Sequence, residues 1–130
     1  MPEALERSSL WQLAHQLAAD VHRASEQAAG SDHAALVTHL RAAALAVTAH
    51  LATAQRSTRW EDFQATLVAG ECSASVLASD VALARELGVF SWQAIDQLLE
   101  ATDTLQQRLL RARALGSAEA GSPAVSGGRR

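Results

Sequence analysis

The most informative segment of the chain is residues 58–88, which read TRWEDFQATLVAGECSASVLASDVALARELG. Small or apolar residues recur in it every three or four positions, the spacing that places side chains on one face of an α-helix. They are Trp60, Phe63, Leu67, Gly70, Ala74, Leu77, Val81 and Ala84. Thr58 and Glu61 match a capping box, Ser57 is an alternative cap, and Gly88 is typical of a helix stop. The segment therefore predicts one long helix with a buried face.

Three other segments show the same spacing and predict helices over residues 9–29, 33–56 and 91–115. Their apolar stripes consist of Leu10, Ala14, Leu17, Val21, Ala24 and Ala28; of Leu36, Leu40, Ala43, Val47, Leu51 and Ala54; and of Ile95, Leu98, Thr102, Leu105, Leu109 and Ala112. Each stripe is continuous along its helix. Four helices with one apolar face each are therefore expected.

Short polar links separate these helices. Gly30 is placed to end the first helix, Ser31 or Asp32 to cap the second, and Ser91 to cap the last. Short links bring consecutive helices side by side. The simplest fold is therefore an antiparallel, up-down-up-down four-helix bundle.

The composition of the chain agrees with an all-α fold, and its length is that of one domain. Of 130 residues, 29 are alanine and only 4% are aromatic. Because alanine has the lowest helix cost and β-branched residues are few, a β-sandwich or barrel is excluded. Residues 1–115 are the expected bundle, whereas residues 116–130 are rich in glycine and serine and predict a disordered C-terminal tail.

Charge and cysteine usage restrict the partners and the compartment. All 11 basic residues are arginine, and 14 acidic residues leave a net charge of -3, which gives no electrostatic reason to expect wrapping by nucleic acid. Cys72 is the single cysteine and has no internal disulfide partner. No run of 18 apolar residues and no signal-peptide pattern occurs. We expect a cytoplasmic protein with no membrane partner.

Three stretches of these helices resemble a known bacterial family. They are WQLAHQLA at residues 11–18, LRAAA at 40–44 followed by Val47 and Ala49, and LGVFS at 87–91. The chain is similar to the four-helix-bundle proteins encoded in intervening sequences of bacterial large-subunit ribosomal RNA genes. The resemblance implies a bundle that assembles into a homopentamer.

One relative of that family, the accessory variability protein of diversity-generating retroelements, is a basic pentamer that binds its reverse transcriptase and nucleic acid. This chain departs from it in its net charge of -3. Residues 48–54 also read TAHLATA where the family usually has a Pro-Ala-Asn-Ile-Ala-Glu-Gly stretch. Nucleic acid is therefore not carried over as an expected partner.

Apolar residues outside the four stripes predict a second apolar surface. They are Val37, Leu45, Val68, Val76, Leu83, Leu99 and Leu110, which a lone bundle would expose. Wide core-facing stripes are the alternative explanation. With the resemblance, this surface predicts a homo-oligomer, with an unidentified protein as a further candidate partner. The candidate oligomer interface comprises Trp11, Leu45, Trp60, Leu83, Phe90 and Trp92.

The histidines do not predict a metal site. His15 and His22 are two helical turns apart, and His39 and His50 three, whereas a helical metal site needs ligands three or four residues apart. We expect surface histidines. Cys72 has no neighbouring cation to activate it and predicts a small buried thiol. No catalytic residue, metal ligand or cofactor is assigned.

Two arginine groups are the candidate contacts with nucleic acid, if any is bound. They are Arg56 with Arg59, and Arg108 with Arg111 and Arg113. The leading hypothesis remains a non-enzymatic, self-assembling helical bundle that serves as a structural or protein-interaction module. The alternative is a nucleic-acid-associated accessory protein resembling the retroelement relative.

Overall fold

The computed structural model describes residues 4–26, 28 and 32–128, with side chains described between residues 7 and 114 of those ranges. This part of the chain contains the helices α1 (Ala4–Ser25), α2 (Ala34–Arg56), α3 (Trp60–Leu87) and α4 (Trp92–Gly128). It contains no strand. The predicted all-α class with four helices is confirmed.

One hydrophobic core lies between the four helices. The predicted stripes supply it, since every stripe position of α4 is buried and α3 is buried from Phe63 to Ala84 along its stripe. Only three stripe residues are half-buried, namely Ala24, Leu36 and Trp60. Burying a large aliphatic side chain stabilises the fold by roughly 1.5–3 kcal/mol. Because nearly all of the stripe residues are buried, the helical spacing of the sequence predicts most of the core.

Each helix packs against two others. Both α1 and α3 pack along α2 and α4, whereas in the described part of the chain the backbones of the diagonal pairs, α1 with α3 and α2 with α4, do not come close. Polar contacts between helices fix how far each helix is shifted along its neighbour. Arg7 in α1 reaches the last turn of α2, and Arg41 in α2 reaches Ser25 at the end of α1. The helices thus surround the core in chain order.

The link from α3 to α4 forms as the sequence predicts. Gly88 has a φ of 67°, in the left-handed region that glycine enters without steric cost, and its N–H donates to the carbonyls of Ala84 and Arg85. The Ser91 hydroxyl accepts the N–H of Ala94 at 3.2 Å, the hydrogen bond of an N-cap residue. Both predicted helix signals are confirmed.

The capping box predicted for Thr58 and Glu61 is wrong, because no side-chain cap bond forms at the start of α3. Ser57 is used to end α2 instead. Its N–H donates to the carbonyl of Ala54, and its hydroxyl donates to that of Thr53 at 3.0 Å. Arg59 is the N-cap residue of α3, so Thr58 and Glu61 do not occupy the N-cap and N3 positions that a capping box requires.

The start of α2 also differs from the prediction. His33 is the N-cap residue and makes no side-chain cap bond, so Asp32 does not cap this helix. The other predicted signals of this link, Gly30 and Ser31, lie outside the described residues.

The last helix is longer than its apolar stripe. The sequence predicts an end near Leu115, whereas α4 continues to Gly128. The predicted tail therefore begins inside a helix, because α-helical hydrogen bonds close within the segment and Ala118, Glu119 and Ala120 are residues that favour helix. Residues 129–130 lie outside the described part. That residues 116–130 form a tail separate from the core stays a prediction.

Candidate subunit contacts

α3 carries a second line of side chains opposite its core stripe. We call this line the α3 outer stripe; it consists of Ala65, Val68, Cys72, Val76, Ser79 and Leu83, all exposed. Spacings of three and four keep them on one face, over roughly 27 Å of helix at 1.5 Å per residue. Val68, Val76 and Leu83 are 40%, 44% and 44% exposed. The outer face of α3 thus presents apolar area to solvent.

α2 carries a comparable line with smaller side chains. We call it the α2 outer stripe; it consists of Ala35, Thr38, Ala42, Leu45, Ala49 and Thr53, all exposed. Leu45, 53% exposed, is its one large apolar side chain. Its other members are alanine and threonine, which leave shallow space on either side of Leu45. The outer face of α3 therefore carries several large apolar side chains, whereas that of α2 carries mainly small ones.

The predicted second apolar surface is confirmed at most of its positions. The exposed members are Leu45, Val68, Val76, Leu83 and Leu110. The prediction is wrong for Val37, which is buried, and for Leu99, which is half-buried against the core. Val37 lies three residues before Leu40 and so extends the core stripe of α2.

The apolar outer faces also explain the hydropathy of the two central helices. Among the described residues, α2 and α3 are long and apolar enough to cross a membrane by length and composition alone. The core helix of a soluble protein passes the same test. In this fold the apolar residues of each helix are divided between a core stripe and an outer stripe.

The six candidate interface residues do not share one surface. Trp11, Trp60 and Phe90 are half-buried against the core, whereas Trp92 is 77% exposed. Trp60 and Trp92 flank α3, whose 28 residues separate them by roughly 40 Å. The other two candidates, Leu45 and Leu83, lie on the two outer stripes. Their assignment to an interface stays a prediction.

The two predicted arginine groups lie at the same end of the molecule. Arg108 in α4 donates from Nη2 to the hydroxyl of Ser9 in α1 at 2.9 Å. Arg7, two residues earlier in α1, donates to the carbonyl of Ser57 in the link between α2 and α3. That link begins next to Arg56. The start of α1 therefore joins both groups.

Most of these arginines point to solvent. Arg56, Arg59, Arg108 and Arg111 are exposed. The exception is Arg113, whose Nε lies 3.1 Å from a carboxylate oxygen of Glu71 in α3. This ion pair ties α4 to α3, so four of the five candidates present their charge at the surface.

The sequence gives no signal for the role of Arg7. Its Nη1 donates to the carbonyl oxygens of Ala54 at 3.2 Å and Ser57 at 2.6 Å, and its guanidinium carbon lies 4.2 Å from the ring centre of Phe63. Burial lowers the pKa of this guanidinium below its usual value. Arg7 therefore closes one end of the core.

Two further polar contacts join neighbouring helices, and the sequence analysis predicted neither of them. Arg41 Nε donates to the hydroxyl of Ser25 at 2.7 Å, and His39 Nδ1 lies 2.5 Å from a carboxylate oxygen of Asp80. Each contact spans two helices. Spacing along one helix contains no information about such pairs.

A family model described as 23S rRNA-intervening sequence protein matches residues 6–111, which include parts of all four helices. The chain belongs to this family. The resemblance read from three short stretches is thereby confirmed. No curated protein matches the chain. The family description names where the genes lie and gives no biochemical role.

Three histidines of this family member make separate contacts. His15 stacks on Trp11 with ring centres 5.0 Å apart, and His22 Nδ1 lies 2.9 Å from the carbonyl oxygen of Ala18. His39 contacts Asp80 as described above. The described residues include no group of three or more His, Cys, Asp or Glu side chains that could hold a metal ion.

The prediction for Cys72 is wrong, because the thiol of this family member is exposed. Cys72 lies two residues after Gly70 of the core stripe and so falls on the outer side of α3. Neighbouring Glu71 points toward α4, where it meets Arg113. The cysteine is therefore part of the α3 outer stripe.

A cleft of about 520 Å³ opens beside the link between α3 and α4. Its polar lining includes Arg23, His33 and Ser91, and no carboxylate or thiol lines it. The Arg23 guanidinium is held by Asp20 at 2.6 Å. The Ser91 hydroxyl in this lining accepts the N–H of Ala94 as the cap of α4.

Proposed function

We propose that this chain is a non-enzymatic protein that assembles with copies of itself, as a homopentamer, and serves as a structural or protein-interaction module in the cytoplasm. The observation that carries the proposal is the pair of exposed outer stripes on α2 and α3. Exposed apolar faces of this kind mark contacts with other chains. The proposal assigns no catalytic, metal or cofactor role to any residue.

The proposed subunit is an antiparallel, up-down-up-down bundle. The contact of Arg7 with the end of α2 supports this direction for α1 and α2, as does that of Arg41 with the end of α1. His39, early in α2, meets Asp80, late in α3. Each of these contacts joins the first half of one helix to the end of a neighbouring helix.

Size-exclusion chromatography with light scattering tests the assembly. A pentamer of 13.7 kDa chains has five times that mass, about 69 kDa. We expect that mass over a tenfold dilution, with an absorbance ratio typical of protein free of nucleic acid. A mass near 13.7 kDa at all concentrations contradicts the proposal.

A nucleic-acid-associated role is the second candidate, because the two arginine groups lie at the same end of the molecule. Clustered arginines bind phosphates in a salt-dependent way. On this proposal, Arg56→Ala with Arg59→Ala weakens RNA binding and reduces the salt slope by roughly 0.7 per lost contact with a single strand.

The matched control removes the same charge from the opposite end, by Arg23→Ala with Arg85→Ala. It is expected to leave RNA binding within twofold of wild type. Equal binding by both double variants, or no binding at low salt, ends this second candidate.

A further inference from the structure

α3 has two apolar faces, and the described part of the chain covers one of them. Its core stripe is buried from Phe63 to Ala84, whereas all six members of the α3 outer stripe are exposed. An apolar residue recurs on the outer face for roughly five helical turns. A helix that is apolar on two opposite faces is suited to packing on both sides.

The charges of α2 and α3 are complementary. α2 contains two arginines and no carboxylate, whereas α3 contains five carboxylates and one arginine. Within the chain, Asp80 contacts His39 and Glu71 contacts Arg113. The remaining carboxylates of α3 lie near its two ends, where the outer stripe begins and finishes.

One pair of opposite charges lies at corresponding ends of the two outer stripes. Arg56 follows the α2 outer stripe, and its guanidinium makes no hydrogen bond or ion pair to the described residues. Glu61 precedes the α3 outer stripe and is 3.8 Å from Arg59, with both side chains more than 70% exposed. When two copies lie side by side with the same direction, Arg56 of one is level with Glu61 of the next.

The two stripes also match in relief. Val68, Val76 and Leu83 form a ridge on α3, and the alanines of the α2 outer stripe leave grooves on either side of Leu45. Helices pack by placing the ridges of one into the grooves of the other. A second α3 would instead oppose ridge to ridge and carboxylate to carboxylate.

We infer that the α3 outer stripe is covered by the α2 outer stripe of a second copy of this chain. This inference rests on the proposed self-assembly and names the surfaces that it uses. Because the two stripes belong to different helices, the contact is head-to-tail. Outer faces of adjacent helices in a square arrangement point roughly 90° apart, so the contact turns each copy relative to the one before it, and such a contact gives a ring when its rotation closes.

The test uses one variant of each stripe in the full chain. Leu45→Asp damages the α2 outer stripe and Leu83→Asp the α3 outer stripe, and both leucines are about half-exposed. Each variant alone is expected to be monomeric by light scattering at concentrations where the wild type is assembled. Thr104→Asp adds the same charge at an exposed position of α4 and is expected to assemble like the wild type.

Mixing the two monomeric variants gives the decisive result. Each retains the stripe that the other lost, so they have one intact contact between them and form a 1:1 heterodimer of about 27 kDa, twice 13.7 kDa. If Leu45→Asp assembles like the wild type, or if the mixture stays monomeric, the pairing of α2 with α3 is overturned. Far-UV circular dichroism checks folding, and Leu45→Gln or Leu83→Gln replaces an aspartate variant that loses helicity.

The wild-type mass separates this inference from the proposed function. A monomeric wild type contradicts both. An assembled wild type whose stripe variants also assemble leaves the proposed function intact and overturns the inference alone.

Discussion

The guanidinium of Arg7 meets α2, the link after it and the ring of Phe63 in α3. Removing it takes this donor from the carbonyl of Ser57, whereas the carbonyl of Ala54 keeps the N–H of Ser57. A buried unsatisfied group costs roughly 1–3 kcal/mol, and a cation–π contact adds about 0.5–2 kcal/mol. Arg7→Met, which keeps the apolar length, is therefore expected to lower the free energy of unfolding by roughly 2–4 kcal/mol, measured by urea denaturation at fixed protein concentration.

The matched control for Arg7 is Arg23→Met. Arg23 pairs with Asp20 at 2.6 Å, but its side chain is 62% exposed. Such surface pairs contribute roughly 0.2–1 kcal/mol, so this variant is expected to lose less than about 1 kcal/mol. If both variants unfold at the same urea concentration, Arg7 does not hold this end of the core together.

At the scale of the helices, Gly70 is a weak point in the middle of α3. A Cβ added there would meet Leu51 and His50 of α2 at 3.7 and 3.8 Å, which is ordinary van der Waals contact. Because glycine within a helix costs roughly 0.5–1 kcal/mol relative to alanine, Gly70→Ala is expected to raise the free energy of unfolding by about that amount. Thermal and urea unfolding measure the gain.

Gly88→Ala is the comparison, because the same substitution is expected to have the opposite effect on stability there. A Cβ at Gly88 would meet nothing within 4 Å, yet the φ of 67° is one that alanine adopts at a cost. This variant is therefore expected to lose roughly 1–2 kcal/mol. A loss at Gly70 instead of a gain would mean that α2 and α3 are packed too closely to accept one methyl group.

The helices and their core faces could be predicted from the sequence because spacing is a property of each segment alone. Positions such as Leu67, Ala74 and Leu98 needed no knowledge of the other helices. The contact of Arg7 with Ser57 spans fifty residues, and no local pattern encodes it. The prediction that Cys72 is buried was wrong for a related reason. Both faces of α3 carry small or apolar residues, and spacing along one helix does not show which face another helix covers.

At the scale of the whole molecule, charge is distributed unevenly between the two ends. Arg56, Arg59 and Arg108 lie at the end where α1 begins, whereas Asp80 and Glu86 lie in the last turns of α3, at the other end of that helix. A net charge of -3 hides this separation. Copies that lie side by side in one direction would place the exposed Arg56, Arg59 and Arg108 of every copy on the same face of the assembly.

The extension of α4 beyond the core gives the last prediction. The family match ends at residue 111, and the last buried residue among the described side chains is Ala112. The described core side chains all lie before residue 116, and their burial accounts for the stability of the bundle. A chain that ends at Leu115 is therefore expected to keep the wild-type number of subunits and to melt within about 2 °C of the wild type by circular dichroism. A drop of more than about 4 °C, equivalent to roughly 1 kcal/mol, would show that the extension packs on the bundle.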